Sequence, residues 1–334
     1  GARCRLHRIA PGAAPQTGMI DPQGLVAEEL HDGPFNLALL MGAAAACVFF
    51  LWAASQPIHI GYRVLAAVAF SFLGNSIFAL LHEAVHGKLH PTLRTNELAG
   101  VFAAAFFPTS LTLQRAFHLT HHRNNRSDLE RFDYLEDDQS RVLKVAQWYS
   151  ILTGLYWTSV PSFSILFALT AGVVPWQRLL PANSRFGKQT STLPYLEAIR
   201  DLPVGRVRLE VLAAISIQLA IILLFDVSLL GWALCYGFFA VNWSSLQYAD
   251  HAFSCLDRVE GAWNLKVNPV VRSLFLNYHF HLVHHRHPTL SWRQLPSRRR
   301  TGDAEQSFRQ ILLCMWAGPR PLPGGDAREP GVAR

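Results

Sequence analysis

The sequence predicts an all-α integral membrane protein with four transmembrane helices, interfacial or re-entrant helices between them and a histidine-rich cap. Three observations carry that expectation. Half of the 334 residues are hydrophobic and only 16% are charged, where a soluble domain carries roughly 25% charged residues. Mean hydropathy is positive, at +0.17. Four apolar runs reach, or nearly reach, the ~20 residues that cross a bilayer. The net charge of +7 forms no patterned basic patch. The composition therefore excludes a disordered chain, a collagen-like repeat and a disulfide scaffold, and argues against a nucleic-acid partner.

The spans fall at 36–54 and 64–81, joined by SQPIHIGYR, and at 209–225 and 228–246, with Asp226 marking the turn. Two weaker runs complicate the count. Residues 98–113 are short and contain Pro108, and residues 148–174 are expected to be divided by Pro161. Loop charge decides between the topologies, because Lys and Arg gather on the cytoplasmic side. Segment 82–147 carries eight basic residues, 175–208 carries six and the region from 247 onward carries twelve, whereas the hairpin loops 55–62 and 226–227 carry none. If 148–174 crossed once, six positive charges would face outward. Both weaker runs are therefore read as interfacial or re-entrant, leaving four spans in two hairpins with both ends cytoplasmic. A multi-pass protein whose working face is cytoplasmic is expected.

Residues 1–34 read as an extension and lead-in, 35–300 as the membrane domain and 301–334 as a tail. Residues 1–18 lack the apolar stretch of a secretory signal, so they are read as leader-like, with Met19 as an alternative beginning. The Pro/Gly-rich end, from Gly318, reads as disordered. Cys4, Cys47, Cys235, Cys255 and Cys314 form no C-x-x-C pattern and read as buried or free residues of a reducing compartment.

The fifteen histidines are the most informative feature. Eight fall into three groups: His82 and His86 in HEAVH, His118, His121 and His122 in HLTHH, and His281, His284 and His285 in HLVHH. On a helix, residues three and four apart share a face, so each group presents two or three imidazoles together. Neutral imidazole suits iron, copper, nickel and zinc. Eight ligands are too many for one tetrahedral zinc and suit two adjacent metals with an open position. HEAVH also fits the H-E-x-x-H of a zinc protease, with Glu83 as base, but such a site has no use for the other six histidines. Glu83 and Asp128 are candidates to hold a ligating imidazole's free N–H. His279 and His287 flank the third group, and His90 the first, outside the ligand spacing. Trp148, Tyr149, Tyr156 and Trp157 read as an interfacial belt rather than a tunnel.

HEAVHGKLH, FHLTHHRNNRSD and NYHFHLVHHRHP, in this order and each following a hairpin, resemble the membrane fatty acid desaturase superfamily, which also holds hydroxylases and carotenoid ketolases. The resemblance covers roughly residues 35–300. It implies two iron ions held by the three histidine groups, O2 as co-substrate, a lipid or acyl-carrier substrate, and an external electron donor such as a ferredoxin, cytochrome or reductase. It also implies a ninth ligand, His251 in QYADHAFS, and a side-chain amide one turn earlier holding a metal-bound water. Gln247 occupies that place, where the family pattern has asparagine. The expected reaction is desaturation of a fatty acyl chain. The alternatives are hydroxylation or ketolation of a carotenoid, alkane or other lipid, and a non-catalytic metal-binding or transport role.

Overall fold

The computed structural model describes residues 32–181 and 183–323. The leader-like segment with Met19, together with His7, His31, Cys4 and most of the Pro/Gly-rich end, lies outside the described residues.

The chain runs through α1 (Gly33–Ser55), α2 (Ile60–Val85), α3 (Leu93–Phe106), α4 (Leu111–Asn124), α5 (Arg141–Leu152), α6 (Leu155–Thr170), α7 (Arg185–Gln189), α8 (Thr192–Ala198), α9 (Val204–Leu224), α10 (Leu229–Ala249), α11 (Pro269–Leu274), α12 (His281–Arg286) and α13 (Phe308–Trp316). Two short parallel pairs complete it. β1 (Tyr134–Leu135) lies beside β4 (Arg320–Pro321), and β2 (Asn264–Lys266) beside β3 (Glu305–Ser307). Among the described residues, α1, α2, α9 and α10 are long and apolar enough to cross a membrane, as the hydropathy pattern implies. Their lipid-facing sides carry exposed Phe49, Trp52, Leu219 and Leu223.

The second expected hairpin is not a packed one. α1 lies along α2, and α10 packs on both, whereas α9 leans against α3, α6 and α4. Helices that are neighbours in sequence are thus joined by a tight turn but have different main partners, α3 for α9 and α2 for α10, with α6 touching both. Gln218 ties the two together from α9, donating to the Tyr236 hydroxyl at 2.7 Å and accepting from the Trp232 indole at 3.2 Å. The small α10 residues Ala240 and Ala249 and the aromatics Tyr236, Phe239 and Trp243 form the centre of the core with α2, while Gly231 lies against Ser55 at the end of α1. Phe239 lies against Gly74, where an added Cβ would come within 2.7 Å of its ring.

Residues 98–113 are the end of α3, a turn and the start of α4, so neither helix is long enough to span. The weaker run at 148–174 breaks at Gly154, not at Pro161. α5 and α6 meet at 91° there, and Pro161 lies within α6. The reason is contact. Gly154 has φ +80°, and an added Cβ would lie 2.6 Å from the Val241 backbone nitrogen on α10. Only glycine adopts that conformation at that approach without strain. The aromatic belt is also corrected. Trp148 is fully buried, its indole donating to the Met315 carbonyl of α13 at 2.7 Å, and Trp157 is buried against Tyr236. Cys47, Cys235 and Cys255 are free.

Candidate metal centre

Three helix ends and one post-helical turn deliver the histidines. α2 and α10 run in parallel through the core. His82 and His86 therefore emerge at the same level as His251, two residues beyond Ala249. α4 brings His118, His121 and His122, and its start is fixed from α9. The buried Glu210 carboxylate accepts from the Ser110 hydroxyl (2.6 Å), the Thr112 backbone N–H (2.8 Å) and the Thr112 hydroxyl (2.9 Å). A carboxylate at that end also meets the positive pole of the helix. α12 is held by β2, whose Asn264 side-chain oxygen accepts from the Val283 N–H at 3.3 Å.

The structure brings together all nine histidines named from sequence, in two groups. His82, His86, His118, His122 and His284 form one, and His121, His251, His281 and His285 the other; within each, one ring nitrogen per residue lies within 4.8 Å of all the rest. In the first, Nε2 atoms are 2.8 Å apart for His86 and His118, 2.9 Å for His118 and His122, and 3.0 Å for His122 and His284. In the second they are 3.1 Å for His121 and His251, 3.0 Å for His251 and His281, and 3.2 Å for His281 and His285. The groups adjoin, with the His122 and His285 rings 4.5 Å apart.

These contacts test whether a metal fits. His251 Nδ1 lies 2.9 Å from the Gly261 carbonyl and His121 Nδ1 lies 2.9 Å from Glu130 Oε1. Both oxygens accept, so each Nδ1 donates outward and each Nε2 is turned toward the other ring, the two standing 3.1 Å apart. A cation held between such nitrogens uses their lone pairs. Burial, followed by the neighbouring imidazoles, pushes His118, His251, His281, His284 and His285 well below the ordinary histidine range. Burial first also lowers His86 to about 4 and His122 to about 2. An all-imidazole set of neutral lone pairs fits iron, copper or zinc and is poorly suited to magnesium or calcium.

The same shifts give a pH expectation for the metal-free protein. A histidine whose folded pKa is depressed binds fewer protons folded than unfolded, so folding is favoured above the unfolded value of ~6.5. That stability is lost progressively as pH falls from there toward the folded values. Chelated protein melted between pH 8 and pH 5 should lose Tm steadily below ~6.5, and a flat profile would contradict the buried neutral cluster.

The residues around the histidines only partly match expectation. Asp128 is exposed and holds no imidazole; the acid on His121 is Glu130, two residues later. The turn after α4 points Asp128 to solvent and Glu130 inward. Glu83 lies 4.0 Å from His82 Nδ1 and instead accepts from the Trp292 N–H at 3.2 Å. Asp250 is 3.4 Å from His281 Nδ1. Gln247 accepts from the Tyr278 hydroxyl at 3.1 Å, and its Nε2 is buried without a protein partner. His279 is buried against Phe280, while His287 caps α12 and His90 accepts from the Thr92 N–H. None of these three joins either group.

A cavity of about 350 Å³ opens onto the histidines. His118, His121, His251 and His281 form part of its wall, with Gln247 beside them, and Phe117, Val160, Phe163 and Trp243 supply apolar surface. Tyr156, read from sequence as interfacial, lines this cavity and stacks on Trp243.

A family model described as fatty acid desaturase matches residues 59–310. The chain belongs to the fatty acid desaturase family. A search of the curated proteins gave no match. As a member of this family the protein is an integral membrane oxidoreductase acting on lipid chains, and its matched region takes in every one of the nine clustered histidines.

Proposed function

We propose that this desaturase-family protein is an O2-dependent di-iron desaturase that introduces a double bond into a fatty acyl chain, carried as a lipid or thioester. The carrying observation is the pairing of two converging imidazole groups with a partly apolar cavity that ends on them. One iron would be held by His82, His86, His118, His122 and His284, the other by His121, His251, His281 and His285. Bound there, iron supplies the O2-dependent hydrogen-atom abstraction that an unactivated C–H bond requires. The reaction balances when the chain gives up two hydrogen atoms and an external carrier gives two electrons. Those, with two protons, reduce O2 to two waters.

The chain's own residues do the rest. Phe117, Val160, Phe163 and Trp243 bind the hydrocarbon and exclude water, so that one segment of it lies against His121 and His251. The Gly261 carbonyl and Glu130 hold protons on His251 and His121 Nδ1, which keeps each Nε2 aimed inward. Gln247 offers its Nε2 to a water or oxygen ligand beside His251. With α2 and α10 delivering their histidines at one level, and the basic residues concentrated in the segments around them, the centre faces the cytoplasm.

The test is elemental analysis after mild detergent purification, followed by lipid profiling of cells expressing the protein. About two irons per chain and new unsaturated acyl chains are expected. Hydroxylated or oxo products would assign the protein to the hydroxylase or ketolase branch, and a single zinc would overturn the di-iron reading.

A further inference from the structure

The two imidazole groups have different surroundings. Around the four-histidine group stand two carboxylates: Glu130, 2.9 Å from His121 Nδ1, and Asp250, 3.4 Å from His281 Nδ1 and 3.8 Å from His251 Nε2. By contrast, the five-histidine group has Glu83 no nearer than 4.0 Å from His82 Nδ1. It also has two cations, Arg115 and Lys88, close enough to His86 to disfavour its charged form, although Arg115 is paired with Glu97. Three of the four clustered histidines in the cavity wall belong to the four-histidine group.

Glu130 is itself gripped from the cavity side. Its Oε1 accepts from His121 Nδ1 and also from the Tyr195 hydroxyl, at 2.7 Å. Oε2 is buried with no protein partner. Tyr195 belongs to α8, lines the cavity, and sets its ring edge-on to Phe117, one turn before His121. One carboxylate oxygen is thus shared between a cavity-wall phenol and a clustered imidazole.

We propose that Tyr195 is a positioning residue that sets the redox character of the four-histidine half of the centre through Glu130. It makes the two halves electronically unequal, with the half against the cavity the more readily oxidised. This rests on the di-iron reading above. A carboxylate on Nδ1–H gives the imidazole anionic character and favours the higher oxidation state of whatever metal it holds. A phenol donating to the same oxygen draws charge away and moderates that effect. The hydroxyl also joins a wall of the cavity to the centre, so a chain that displaces Tyr195 on entering alters the grip on His121.

The two substitutions along this relay should act in opposite directions, which a purely structural role for either residue would not produce. Tyr195→Phe removes the competing donor, strengthens the hold of Glu130 on His121 and should lower the midpoint potential of the bound iron. Glu130→Gln removes the negative charge and should raise it. The experiment is a potentiometric titration of detergent-purified, 57Fe-loaded full-length protein, followed by Mössbauer spectroscopy. The wild type should give two inequivalent iron signals, and only one of them should respond to Tyr195→Phe.

Shifts of the same sign, or an unchanged potential in Tyr195→Phe with two irons still bound, would overturn the proposal. Should Glu130→Gln lose iron, Tyr195→Phe carries the sign by itself, since it deletes one oxygen and keeps the ring. Absence of iron from the wild type would sink the di-iron reading instead, so the two failures are distinguishable.

Discussion

Changing His121 or His284 to alanine should reduce the iron content from the proposed value of about two per chain to about one and abolish product, while the protein still inserts into the membrane. His121 belongs to the group of four imidazoles and His284 to the group of five, so each substitution strips a different half of the centre. Neither residue lies in one of the four candidate spans, which leaves the apolar surfaces that drive insertion untouched. His287→Ala is the internal control. It lies only two residues beyond His285, yet it is only partly buried and contributes to neither cluster. Iron content and product should stay near wild type there. Full activity in His121→Ala, or two irons retained in both variants, would contradict the ligand assignment.

The second large effect is on stability. Asp133 and Arg126 are both fully buried and form a two-pronged ion pair at 2.7 and 3.0 Å. Asp133 also accepts from the Tyr248 hydroxyl at 2.8 Å and from the Phe253 N–H at 2.6 Å. Arg126 and Phe253 both have left-handed backbones, with φ near +60°, a conformation that costs non-glycine residues ~1–3 kcal/mol unless the surroundings fix it. One carboxylate therefore holds the turn after α4 and the turn after His251 in place. Asp133→Ala leaves the Arg126 guanidinium buried and unpaired, at an expected cost of ~3–5 kcal/mol.

Melting in detergent should show a Tm loss on the order of 10 °C. The four-histidine iron should go with it, because Phe253 lies two residues from His251. Replacing both partners, as Arg126→Met with Asp133→Leu, removes the orphaned charge and should recover much of the stability. If the single Asp133→Ala variant melts like wild type, the ion pair does not organise these turns.

Much of this was legible from the chain because the signals are periodic or chemical. Spans announce themselves by uninterrupted apolar length, and histidines three and four apart must share a helix face. That is why residue spacing alone gathered His82, His86, His118, His121, His122, His281, His284 and His285, with His251 added by the family resemblance. The neighbours of those histidines were less legible. Asp128 and Glu130 are two residues apart in a turn without regular period, so nothing in the sequence says which points inward. Tyr195 reaches Glu130 from 65 residues away, a distance no local pattern spans. Gly154 broke the bent α5–α6 pair because α10 crosses it closely, whereas Pro161 was tolerated within a helix.

By itself, the sequence determined a helical membrane protein with four spans, and it supplied a supply of imidazoles too rich for any single metal site. Both follow from composition and short-range periodicity, which the bilayer and the helix impose locally. Only the tertiary structure decided how those imidazoles divide five and four, which half meets the cavity and which carboxylates stand behind them. It also decided that α9 and α10, adjacent in the chain, pack chiefly on α3 and on α2 rather than on each other. Those outcomes depend on contacts between residues distant in sequence, and packing rather than local propensity selects them.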